Sequence, residues 1–140
     1  MTASVLALEL KLPAETSAGA PVGGRLFLTN RGEQPLSLTH PFYNSALNLV
    51  VFDRLWNIVT PKAARKAHIA YSTIDLAPAA TVVVDLADLC YVSGTASKDY
   101  QLDAGRYYIL AVFHPGTSRL PAESLYPLVI ASNIVQLVVR

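Results

Sequence analysis

Leu6, Leu8, Leu10 and Leu12 alternate with Ala7, Glu9 and Lys11, the two-residue period of a strand with one buried face. The rhythm returns along the chain. Residues 25–30 read as a second strand, with Gly23 and Gly24 ahead of it marking a bulge or a close backbone approach. Residues 36–39 form a short third. Leu47, Leu49 and Val51 then alternate with Asn48, Val50 and Phe52, in a strand expected to be buried on both faces towards its end. Residues 53–57 predict the hairpin that returns the chain through Ile58 and Val59. Residues 67–74 are rich in β-branched and aromatic side chains, residues 81–86 carry three valines, and residues 133–139 supply a last strand.

The breaks between these runs are equally regular. Residues 13–21 are expected to be a loop, and residues 30–35 (Asn-Arg-Gly-Glu-Gln-Pro) and 76–80 to be turns. Residues 87–101 are less regular, with a bulged loop or short helical turn expected over 85–89, and residues 114–127 read as a loop. No stretch of ten residues keeps a helical period, which argues against alternating α/β architecture. Short strands separated by Gly, Pro, Asn and Ser clusters are the signature of a sandwich or barrel. The pattern predicts an all-β, two-sheet antiparallel sandwich of about seven to nine strands, with residues 1–140 forming a single domain.

Residues 102–113 read Leu-Asp-Ala-Gly-Arg-Tyr-Tyr-Ile-Leu-Ala-Val-Phe. An Asp-x-Gly-x-Tyr step feeding an alternating strand is the spacing of a tyrosine corner, where a Tyr hydroxyl bonds back to the main chain as the chain crosses between sheets. Tyr107 is expected to point inward there, its hydrogen bond contributing a net ~0.5–1.5 kcal/mol. The segment resembles strand F of immunoglobulin-like and fibronectin-like domains, with Ile109 where antibody domains carry their second cysteine. The wider chain is similar in rhythm to small bacterial immunoglobulin-like domains. The matching parts are Leu26-Phe-Leu-Thr-Asn-Arg-Gly-Glu-Gln-Pro, Leu49-Val-Val-Phe-Asp, Leu76-Ala-Pro, Leu102-Asp-Ala-Gly-Arg-Tyr and Ser132-Asn133-Ile-Val. One group with this rhythm is the bacterial intracellular proteinase inhibitors. The resemblance implies a single sandwich domain, and it transfers no particular reactive loop. The hairpin after Asp53 departs from it, with Arg-Leu-Trp-Asn where a Gly-containing turn is common.

Composition fits this picture. A chain of 140 residues buries roughly 68–70 % of its unfolded surface on folding. With 52 % hydrophobic and 15 % charged residues, the sequence lacks the profile of disorder. Its formal charge is +1. The basic cluster Lys62, Arg65 and Lys66 is expected to be a solvated turn, since no stacking aromatics interleave with it as nucleic-acid platforms require. The one cysteine, Cys90, excludes an intramolecular disulfide and reads as a small buried hydrophobe. No charged n-region opens the sequence, and no run approaches the roughly 18 apolar residues of a membrane-spanning helix. The expectation is a cytoplasmic location, with no membrane span and no nucleic-acid partner.

Candidate chemistry is sparse. His40, His68 and His114 each stand alone in their segments, without the spacing that sets two imidazoles on one strand face. The acids Asp85, Asp88, Asp99 and Asp103 match no calcium loop, and no nucleophile elbow or phosphate loop occurs. These readings predict no enzyme, no cofactor and no metal. Aromatic side chains on loops carry more promise, because loops on a rigid scaffold are where binding residues concentrate. The candidate partner-binding residues are Phe42, Tyr43, His114, Arg119, Leu120 and Tyr126. Trp56 is expected to cap the core, and Tyr108 to face either the second layer or solvent.

The expected function is therefore a non-catalytic protein-interaction or structural module, binding a protein partner or self-assembling through loops and sheet edges. An alternative is an intracellular protease inhibitor using residues 114–121, with Arg119 or Leu120 entering a specificity pocket. A second alternative is a carbohydrate- or small-ligand-binding module using Tyr and Trp faces.

Overall fold

The computed structural model describes residues 5–43, 45–66, 70–115 and 129–140, and every regular element among them is a β-strand. In chain order these are β1 (Leu6–Lys11), β2 (Glu15–Thr16), β3 (Gly24–Asn30), β4 (Leu36–Thr39), β5 (Leu47–Asp53), β6 (Ile58–Val59) and β7 (Lys62–Lys66). There follow β8 (Thr73–Leu76), β9 (Thr81–Leu86), β10 (Cys90–Ser93), β11 (Ala96–Asp99), β12 (Gly105–Phe113), β13 (Ile130–Ala131) and β14 (Val135–Val139). The described strands outnumber the seven to nine expected, because β2, β6 and β13 are two-residue edge segments and residues 90–99 form a hairpin of their own.

Two sheets dominate. One is antiparallel in the order β1-β3-β9; the other runs β2-β14-β12-β5-β6, with β13 beside β12. Smaller sheets are β10-β11-β7 and β4-β8. The period-two pattern explains why both large sheets share one core. From the first sheet Leu6, Leu10, Leu26, Leu28, Val84 and Leu86 enter it. From the second come Leu47, Leu49, Val51, Ile109, Ala111, Phe113 and Leu137. Each such Val, Leu, Ile or Phe side chain contributes roughly 1.5–3 kcal/mol when taken fully out of water.

Local signals explain how the chain moves between sheets. A Cβ at Gly24 would come 2.9 Å from the Lys11 carbonyl oxygen and collide with the Leu12 side chain, so the β1–β3 approach requires glycine there. Asn30 is fully buried, yet its amide donates to the Gln34 and Leu76 carbonyls (2.8 and 3.0 Å) and its oxygen accepts from Gly32 N–H (2.9 Å). A buried amide satisfied in this way stabilises the turns around it. Ahead of β12 the Tyr107 hydroxyl donates to the Asp103 carbonyl oxygen at 2.9 Å, the bond that the tyrosine-corner spacing predicts. Its half-buried ring packs on the core's margin; desolvation, helped by the Asp103 and Asp53 charges, raises the pKa of its hydroxyl.

Two expected loops are ordered differently. Residues 13–21 contain β2, which pairs parallel with β14, bringing Glu15 opposite Val138 and Thr16 opposite Val139. The basic cluster lies on β7 and not in a turn; Lys62 faces Asp99 and Lys66 faces Ala96 across the β7–β11 pair. An edge strand tolerates such charges because they discourage unwanted pairing.

Candidate functional site

The loops at one end of the two main sheets gather the expected binding residues that the structure describes. His40 closes β4, and its Nδ1 accepts a hydrogen bond from Phe42 N–H (3.1 Å) while its carbonyl accepts from Tyr43 N–H (2.9 Å). Burial of the His40 ring lowers its pKa. The loop then meets the end of β12: His114 N–H donates to Ala46 O at 2.7 Å, and Thr39 N–H to Pro115 O at 3.1 Å. Both His-Pro steps therefore stand at the same end. Phe42 packs against the core beside His40 (ring centroids 5.3 Å), and Tyr43 meets Tyr71 edge-on at 5.1 Å. Phe42 thus packs against the core, and like Tyr43 and His114 it is half-buried. Arg119, Leu120 and Tyr126, like His68, lie outside the described residues.

A second surface was not anticipated. On the outward face of the six-stranded sheet, strand alternation places Val50 and Phe52 of β5 beside Tyr108, Leu110 and Val112 of β12, and β6 adds Ile58. Trp56 lies on this face and does not cap the core. Its ring stacks on Tyr108 with centroids 4.2 Å apart and planes within 10°, and it lies 5.7 Å from Phe52. Leu55, Trp56 and Ile58 are 67 %, 53 % and 70 % exposed. Contiguous apolar surface of this kind marks interaction sites more often than isolated exposed side chains do. Arg106, two residues before Tyr108 and so on the same face of β12, is exposed at the end of this surface.

The turn that presents Trp56 is built from five residues. Trp56 N–H donates to Asp53 O (3.0 Å) and Asp53 N–H to Asn57 O (2.9 Å). Asp53 Oδ1 also accepts from Leu55 N–H and Asn57 N–H, both at 2.9 Å. Those bonds to Asn57 and Leu55, with the nearby Arg54 charge, hold the Asp53 carboxyl below its ordinary pKa. This is a three-residue hairpin loop closed by a bulge whose first residue must be left-handed, a slot normally filled by Gly. Trp56 occupies it at φ 64°. The sequence contained the clue in Arg-Leu-Trp-Asn, but the side on which the indole emerges depends on the β5–β12 register 52 residues away.

At the end of the sheets away from His40 and His114, a cleft of about 440 Å³ is lined by Asp88, Asp99 and Asp103 with Thr16, Gly19 and Tyr100. Asp88 Oδ1 is engaged as a staple, accepting from Val22 N–H (2.9 Å) and Leu89 N–H (2.8 Å). Among the described residues no three His, Cys, Asp or Glu side chains gather to hold a metal ion, and no helix is long and apolar enough to cross a membrane. Compared with known proteins, the chain matches no protein-family model and no curated sequence.

Proposed function

We propose that this chain is a non-catalytic protein-interaction module on an immunoglobulin-like sandwich, and that a protein partner docks on the aromatic face of β5, β6 and β12. The observation that carries this reading is Trp56 in a left-handed turn position. A side chain with a Cβ costs roughly 1–2 kcal/mol there, and stacking on Tyr108 contributes about 0.5–1.5 kcal/mol beyond the area it buries. The stack offsets the backbone cost in part, and 53 % of the residue's surface still faces water. An exposed Trp stacked on Tyr with an Arg at its margin is the composition of an interface hot spot. The pairing of β1-β3-β9 and β2-β14-β12-β5-β6 across one core, with the Tyr107–Asp103 bond at the entry to β12, supports the sandwich assignment.

The test is capture of partners from the native host with the wild type and three variant forms of the protein. Trp56→Ala and Ile58→Ser should each lose the partner held by the wild type, while Phe27→Ala on the opposite outward face should keep it. Equal retention by all three forms overturns the assignment of the surface.

A further inference from the structure

The open edge of β9 carries a second, independent proposal: we infer that two copies of this chain pair through β9, antiparallel about Val83. β9 is hydrogen-bonded to β3 alone among the described strands. The phase of that ladder can be read at its head. Asn30 N–H donates to Ala80 O (3.0 Å) and Ala79 N–H to Asn30 O (2.9 Å), a bulge with Ala79 left-handed at φ 64°. Two-residue steps from there turn the backbones of Val82, Val84 and Leu86 towards β3. The hydroxyls of Thr29 and Thr81 lie 2.8 Å apart, as the closer, non-hydrogen-bonded pairs of an antiparallel ladder require. The N–H and C=O groups of Thr81, Val83 and Asp85 therefore point to the open side.

Four other edges, those of β1, β7, β2 and β6, are guarded. The Asn133 side chain plugs β1, accepting from Leu10 N–H (2.8 Å) and donating to Leu10 O (3.1 Å). β7 carries Lys62 and Lys66, and β2 and β6 are two residues long. β9 has no Pro, no Lys and no bulge within its six residues, and Asp85 is its one charged side chain. Its sequence Thr-Val-Val-Val-Asp-Leu is rich in the residues that favour pairing, and Val83 is 48 % exposed.

Self-complementarity selects a second copy as the occupant. Centred on Val83, antiparallel pairing sets Val83 against Val83 and Thr81 against Asp85, twice over by symmetry. The strand's one charged side chain then faces a hydroxyl. Thr29 can donate to Thr81 and Thr81 in turn to the opposing carboxylate. Moving the two-fold axis by two residues, onto Asp85, sets two carboxylates against each other, and like charges directly opposed are destabilising. A two-fold contact of this kind is isologous and closes on itself as a dimer.

Sedimentation velocity and light scattering across a concentration series test the proposal. The wild type should shift from monomer to dimer as concentration rises. Val83→Lys should weaken the dimer about tenfold or more, since it opposes two like charges across the axis, with its thermal unfolding unchanged. Val83→Thr, which keeps strand propensity, should dimerise nearly as the wild type does and guards against misfolding of the lysine variant. Ile58→Lys, on the aromatic face, should leave the dimer intact. A wild type that stays monomeric throughout overturns the inference. So does a dimer that survives Val83→Lys, or one that Ile58→Lys abolishes.

Discussion

The two main sheets use the same left-handed bulge and fill it with opposite side chains. In the turn before β9 the slot holds Ala79, at φ 64°; in the hairpin between β5 and β6 it holds Trp56, also at φ 64°. The outward faces differ in the same sense. On β1, β3 and β9 the exposed grid is polar at most positions: Arg25 lies 3.5 Å from Asp85, Lys11 lies 3.8 Å from Glu9, and Lys11 covers the Phe27 ring at 4.8 Å. On β5, β6 and β12 the grid is aromatic and aliphatic, with its two largest rings stacked in the open. One backbone device serves two ends. The polar face keeps its apolar ring under a lysine ammonium group, whereas the aromatic face accepts a backbone cost to raise an indole above the sheet.

The largest expected consequence is in binding. Trp56→Ala should weaken a partner of the aromatic face by about 2 kcal/mol or more, roughly thirtyfold, whereas Phe27→Ala should change affinity less than about twofold; calorimetric titration of the captured partner measures both. Next comes the link between the sheets. Asn133→Ala removes both bonds to Leu10 and should lower unfolding free energy by about 1–3 kcal/mol in urea, loosening both faces together. Glycine in the two bulge slots then separates them. Ala79→Gly should stabilise by about 0.5–1 kcal/mol, but Trp56→Gly should change stability little, because the relief is offset by the lost stack, while still abolishing binding.

The smallest effect belongs to the loop end. Burial holds the folded-state pKa of His40 below its ordinary 6.5, so the unfolded chain takes up the proton first. The resulting stability is complete above about pH 6.5 and falls as pH drops through the folded-state pKa. His40→Asn, which keeps an acceptor for Phe42 N–H, should flatten this slope between wild-type and variant melting curves.

Much of the architecture was legible where side-chain period and backbone chemistry agree. Leu6 to Leu12, the β5 alternation and Tyr107 each announce themselves within a dozen residues, because a corner or a half-buried strand is a local demand. Residues 90–99 did not: β10 and β11 are half-buried along most of their length, so no clean alternation marks the hairpin. The loop candidates Phe42, Tyr43 and His114 were readable, and their common location follows from the Ala46–His114 and Thr39–Pro115 bonds. The aromatic face was hidden for a different reason. It depends on Tyr108 facing Phe52 and Phe52 facing Ile58, a register set across the sheet and not written in any one segment. Trp56 misled for the same reason: a large apolar ring on a hairpin reads as a lid on the core until the bulge turns it outward.

The short β2 strand has a mechanical consequence. It runs parallel to β14, tied by Val138 N–H to Ala14 O (3.0 Å), Arg140 N–H to Thr16 O (2.9 Å) and Ala18 N–H to Arg140 O (2.8 Å), with Glu15 and Arg140 paired at 2.7 Å. Tension applied through β1 and through the far end of β14 would slide these two strands along each other. Their cross-links would then yield together in shear, and not one after another as a hairpin unzips, making this small patch the clamp that resists stretching.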